Sequence, residues 1–145
     1  GVLARAGHAR CGGANVQGDV APAPTPGTGA GTSCSGGPLA MTGGLTFRSV
    51  SAGHHHSCGV TTAHDVYCWG GGFYGELGDG NRTTRGVVPR KVAGGLSFAT
   101  VSAGYISTCG LTTDGFAYCW GEGGFGGLGN GSLDNALTPV PVASP

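Results

Sequence analysis

HSCGVTTAHDVYCWG, His56 to Gly70, and STCGLTTDGFAYCWG, Ser107 to Gly121, are the two stretches whose reading decides the fold. Each sets two cysteines ten positions apart across a short polar middle of the kind that forms a hairpin turn. They lie 51 residues apart, and the same offset lays GGLTFRSVSAG (Gly43 to Gly53) on GGLSFATVSAG (Gly94 to Gly104). Between Gly44 and Gly80 this alignment gives 20 identities in 37 pairs, with Phe, Cys, Tyr and Trp among them, so composition alone does not produce it. The chain is an internal repeat. A period near fifty residues points to a propeller or solenoid, whose units cannot bury their own faces and must stack.

A damaged copy precedes the two full ones. PLAMTGG (Pro38 to Gly44) falls 51 residues before PRKVAGG (Pro89 to Gly95), and CGGANVQG (Cys11 to Gly18) lays on CWGGGFYG (Cys68 to Gly75) with Gly12 in place of Trp69. Between them VAPAPTPGTGAGTSC (Val20 to Cys34) has no apolar period and reads as an irregular or disordered loop. The organisation expected is a degenerate partial unit over residues 1–43 and full repeats over 44–94 and 95–145. Within a full repeat, LTFRSV, HSCGVTT, VYCWG and VVPRKV are short and rich in Val, Thr and aromatic residues, with glycine-containing turns between them. Four strands per repeat and no helical period make the chain all-β.

Turn length settles what the cysteines can do. A two-residue loop at Asp114-Gly115 would send Cys109 and Cys119 to opposite faces of the sheet. A three-residue loop, Thr113-Asp114-Gly115, shifts the register by one and sets Cys109 opposite Cys119. The same length in the first copy pairs Cys58 with Cys68 and asks His64 to adopt the left-handed conformation, which His tolerates better than most residues. Two disulfides within hairpins follow, each contributing roughly 2 to 3 kcal/mol if unstrained. The alternative is a reduced pair of small core residues. Cys11 and Cys34 have no partner in the repeat and either pair with each other or stay free.

CWG followed by GELGDG (Gly75 to Gly80), and again by GGLGNG (Gly126 to Gly131), resembles the repeats of the regulator of chromosome condensation family, from Leu39 to Pro145 and weakly over Cys11 to Gly18. Kelch repeats have a similar period but space their glycine doublet, Tyr and Trp differently. The resemblance implies a seven-bladed β-propeller of four-stranded antiparallel blades, of which this chain would be a part: two full blades and a degenerate partial blade. Two and a half blades cannot close such a ring, so the neighbouring blades are expected either to be missing from this chain or to be supplied by self-association. Gly75, Gly78, Gly80, Gly126, Gly129 and Gly131 are then expected at tight turns or at close approaches between blades. Trp69 and Trp120, with Phe47 and Phe98, are expected to fill the space between blades.

Composition limits the function. Seven Lys plus Arg balance seven Asp plus Glu, so neither nucleic acid nor an anionic membrane is drawn electrostatically. No apolar run approaches the roughly 20 residues of a membrane span. The N-terminus GVLARAGHAR has neither a long apolar run nor an initiating Met, which suggests a mature piece or a fragment. GGGFYG (Gly70 to Gly75) and GEGGFG (Gly121 to Gly126) fit a phosphate-cradling glycine pattern but open no helix, so no nucleotide or other cofactor is expected. The acids Asp19, Asp65, Glu76, Asp79, Asp114, Glu122 and Asp134 show no catalytic pairing, and no enzyme is expected. Asn81-Arg82-Thr83 and Asn130-Gly131-Ser132 are glycosylation sequons, meaningful only in a eukaryotic secretory path.

Two functions remain to be separated. The first is a non-enzymatic interaction module, a fragment of an exported propeller whose loops bind an unidentified protein. The resemblance supports this through secreted bacterial members of the class, one of which inhibits β-lactamases. Candidate contact residues are those at loops that differ between copies: His54, His55 and His56, Phe73 and Tyr74, Tyr105 and Phe125. The cysteines place the chain outside the cell, at its surface or in a periplasm. The second is a metal-binding or enzymatic propeller using His54 to His56 with His64 nearby, although the other copy has Tyr105, Ile106 and Ser107 in place of the triplet. The nuclear branch of the family, which exchanges guanine nucleotide on a small GTPase, fits less well because the chain has disulfide-spaced cysteines and no basic tail.

Overall fold

A computed structural model describes residues 2–3, 9–14, 34–40 and 44–143, with side chains from Gly44 onward. The stretch 20–33 and the terminal pair 144–145 lie outside the described residues. Eleven strands are described: β1 (Val2–Leu3), β2 (Ala9–Ala14), β3 (Cys34–Ala40), β4 (Phe47–Ala52), β5 (His56–Thr61), β6 (Val66–Gly72), β7 (Thr83–Lys91), β8 (Phe98–Ala103), β9 (Ser107–Thr112), β10 (Ala117–Gly121) and β11 (Ala136–Pro141). They form a three-stranded sheet β1-β2-β3 and two four-stranded meanders, β4-β5-β6-β7 and β8-β9-β10-β11, all antiparallel. The only helical piece among the described residues is a 3-10 turn at Gly124–Gly126.

Both central hairpins close through three-residue loops. His64 stands at φ 65° in the first and Gly115 at φ 93° in the second, each receiving the turn its neighbours need. The register that results sets Cys58 opposite Cys68 and Cys109 opposite Cys119, and each pair is a disulfide. In the three-stranded sheet Cys11 lies opposite Leu39 and Cys34 opposite Ala14.

Strand alternation gives each blade two different faces. One face carries the aromatic pair, Phe47 with Trp69 at 5.8 Å between ring centroids and Phe98 with Trp120 at the same distance. In each case the Phe ring lies over a glycine of the next strand. A Cβ on Gly59 would stand 2.5 Å from the Phe47 ring, and one on Gly110 2.7 Å from Phe98. The glycine after the first cysteine therefore makes room for the phenylalanine. The other face carries the disulfide with its apolar neighbours.

The two blades stack aromatic face on disulfide face. Phe98 and Trp120 join Cys58, Val60, Val66, Cys68, Leu77 and Val92 in one buried cluster. Burying a pair of large aromatics in this way contributes several kcal/mol by area alone. The equivalent disulfide face of the second blade is uncovered: Leu111, which replaces Val60, is 43% exposed, and Ala117, which replaces Val66, is exposed.

If the chain is unfolded without reductant and alkylated, its mass should show label on no more than two of the six cysteines, Cys11 and Cys34. Six labelled thiols would refute both disulfides.

Candidate interaction surface

The surface begins with the seam beneath it. After β6 the segment 73–80, FYGELGDG, leaves its own blade and lies against the next one. The Glu76 carbonyl oxygen accepts two hydrogen bonds from the second blade, from Trp120 Nε1 and from Thr108 Oγ1, each at 2.9 Å. Gly80 N–H donates to the Leu137 carbonyl at 2.9 Å. Gly78 sits at φ 67° directly over the indole, where an added Cβ would stand 2.7 Å from Trp120 Nε1. Its glycine is needed twice, for the left-handed backbone and for the close approach. Leu77 and its counterpart Leu128 are fully buried. Their signal in the sequence is an apolar residue held at one place in two otherwise glycine-rich loops.

Further bonds tie the blades near the ends of the strands. His54 N–H donates to Gly104 O at 3.1 Å and Ala103 N–H to Ser51 Oγ at 3.0 Å. At the opposite end Phe98 N–H donates to His64 O at 2.8 Å, and His64 Nδ1 lies 3.1 Å from Phe98 O. His64 is thus separated from the triplet by the length of the sheet.

The structure divides His54, His55 and His56. His54 is exposed, 3.9 Å between ring centroids from His55 and 4.3 Å from Tyr105 of the second blade. His56, expected above among the loop contacts, is instead the first residue of β5 and is buried. Alternation along the strand turns its ring into the seam, where Nε2 meets Thr108 Oγ1 at 2.7 Å. Burial, and to a lesser degree the charge of His55, lowers its pKa to about 4. Glu76 is also buried, and its carboxyl is pushed above the usual range by desolvation, against hydrogen bonds from the backbone of Glu76, Tyr74 and Gly75 and the charge of His55. Among the described residues no group of three or more His, Cys, Asp or Glu is arranged to hold a metal ion.

The other candidate residues gather at the end of the blades where β4, β6, β8 and β10 finish. Phe73 and Tyr74 pack edge to face at 5.2 Å, and both rings are exposed. Their loop abuts the start of β11, since a Cβ on Gly75 would lie 2.8 Å from Ala136 O. Tyr105 is 65% exposed, and the Ile106 carbonyl beside it accepts Glu122 N–H at 3.0 Å. Phe125 projects fully into solvent from a backbone at φ 60°, and Leu133, which no sequence pattern singles out, stands exposed in the loop before β11. Five large apolar side chains, with His54 beside Tyr105, therefore share one end of the two blades. The glycine patterns at Gly70 to Gly75 and Gly121 to Gly126 lie at this end as strand ends and turns, the second closing in the 3-10 turn Gly124–Gly126.

The sequence matches the profile of the regulator of chromosome condensation (RCC1) repeat over residues 64–111 and 114–145, and a second profile of the same repeat over residues 47–76. It is 39% identical over 98 residues to the ultraviolet-B receptor UVR8 of Arabidopsis thaliana, covering 66% of this chain and 22% of that protein. It is 36% identical over 99 residues to the human E3 ubiquitin-protein ligase HERC2, covering 66% of this chain and 2% of that one. The chain thus spans about a fifth or less of these relatives' length. Among solved structures, yeast RCC1 (Prp20) bound to Kap60 superposes with a TM-score of 0.80 at 21% identity, covering 98% of this chain and 34% of that one. Prp20p of Saccharomyces cerevisiae, described with its binding to Gsp1p and histones, gives 0.74 at 22% identity, covering 90% of this chain and 33% of that one. Both establish likeness of fold.

Trp120→Ala should cost about 3 to 5 kcal/mol in a denaturant titration, since it removes the largest side chain of the seam and one of two donors to Glu76 O. Gly78→Ala should lower the same midpoint, by about 1 to 2 kcal/mol for the left-handed backbone before the clash with the indole is added.

Proposed function

The chain belongs to the regulator of chromosome condensation (RCC1) repeat family, and from that premise we propose that it is a protein-interaction module without catalysis of its own, part of an exported β-propeller whose loops bind another protein. The observation that carries this reading is the shared end of the blades at which Phe73, Tyr74, Tyr105, Phe125 and Leu133 are exposed together. Exposed aromatics held in register by a rigid scaffold present contact area at little entropic cost, which is how binding hot spots are built. The seam supplies the rigidity, because His54 and Tyr105 come from different blades yet stack. The solved relative described with its binding to Gsp1p and histones supports a protein as partner.

Two disulfides support export to an oxidising space, extracellular, at the cell surface or in a periplasm. The relatives named above come from eukaryotes and lend the bacterial origin expected from the resemblance no support of their own. The uncovered disulfide face of the second blade supports a further repeat as its neighbour, from a longer chain or from a second copy. Its counterpart in the first blade is filled by a Phe and Trp pair, so the neighbour required is another aromatic blade face.

A photo-crosslinking residue placed at position 105 should give one defined protein adduct in the native host, whereas the same residue at position 88, exposed on the outer strand, should give none. Tyr105→Ala and Phe125→Ala should abolish partner binding without moving the unfolding midpoint. Equal labelling at positions 105 and 88 would overturn the assignment of this end as the contact surface.

A further inference from the structure

Among the described residues, His56 Nδ1 is the one buried side-chain nitrogen or oxygen without a hydrogen-bond partner. Its tautomer follows from the chain of bonds beside it. The Glu76 carbonyl can only accept, so the Thr108 hydroxyl donates its proton there and must accept from His56, which places the ring proton on Nε2. Nδ1 is then bare, and the neutral ring is the form the seam holds.

We propose that His56 makes the junction of the two blades acid-sensitive: protonation at Nδ1 puts a charge and an unmatched N–H inside the seam, and the blades loosen against each other. No neighbour compensates. The first blade brings His54 and His55 from the turn before β5, cations themselves when protonated. It also brings Glu76, whose carboxylate Oε2 is committed to Tyr74 N–H at 2.8 Å and which takes up a proton early in acid. The second blade brings Thr108 and the backbone of Ala103 and Gly104, with Tyr105 and Glu122 on the adjoining loops, the Glu122 carboxylate accepting Gly124 N–H at 2.9 Å, and no Lys or Arg from Val92 to the C-terminus. The bonds that would give way, from Thr108 and Trp120 to Glu76 O, join the blades through the residue that His56 holds, two positions after the exposed His54.

The direction is fixed by linkage. With the folded pKa at about 4 against 6.5 in the open chain, the unfolded state binds the proton first. This stability is complete above pH 6.5 and drains as pH falls toward 4. From pH 7 to pH 5 the folded-to-unfolded ratio should fall about twentyfold through this group.

His56→Gln tests it, because the amide still offers an N–H to Thr108 Oγ1 and does not titrate. Urea unfolding at pH 7 and pH 5 should show about a twentyfold larger loss of the folded ratio in the wild type than in the variant. Equal losses would overturn the proposal. Should the variant not fold, the wild type answers by NMR. The His56 ring should stay neutral down to pH 5 in the folded chain, and the Trp120 indole N–H should lose its protection from exchange as the ring titrates. Titration of His56 near 6.5 with the indole signal unmoved would equally overturn it.

Discussion

One backbone carbonyl, that of Glu76, receives the indole N–H of Trp120 and the hydroxyl of Thr108 from the neighbouring blade. Around this point the rest of the two-blade structure is arranged. A buried indole needs an acceptor, and an unpaired N–H in the seam would cost about 1 to 3 kcal/mol. The acceptor arrives only because the loop after β6 crosses to the next blade, and it crosses only because Gly78 can take a left-handed turn with no side chain over the ring. The glycine-rich motif is thus a clasp. Its leucine, buried at Leu77, locks the clasp to its own blade while its carbonyl holds the next.

The junction is heterologous: an aromatic face packs on a disulfide face, and each blade owns one of each. That arrangement propagates in one direction, since the second blade repeats the disulfide face on its far side and leaves Leu111 and Ala117 in water. Within a blade the disulfide ties the two central strands, which carry the Gly59 and Gly110 recesses for phenylalanine. Local covalent closure and long-range packing therefore act on the same pair of strands from opposite faces.

The surface read as a binding site draws its definition from this seam. Tyr105 and Phe125 come from the second blade and His54, Phe73 and Tyr74 from the first, yet they share one end because the clasp sets the blades in register. Between the repeats, identity is concentrated in strands and clasp and is absent at positions 54–56 and 73–74, where the exposed rings and the seam histidine sit. The constant positions hold the scaffold and the variable ones give the surface its chemistry.

What the sequence by itself determined were the properties that depend on neighbours along the chain. The period of 51, the four short strands and the three-residue turns with His64 and Gly115 at positive φ are local, and once turn length is known the pairing of Cys58 with Cys68 and Cys109 with Cys119 follows. What only the tertiary structure decided depends on the partner blade. His56 reads as a loop histidine until Thr108, 52 positions away, is found at its Nε2. The carbonyl of Glu76 leaves no trace in the sequence at all, because a backbone group is the same at every residue and its role is set by which side chains are folded against it.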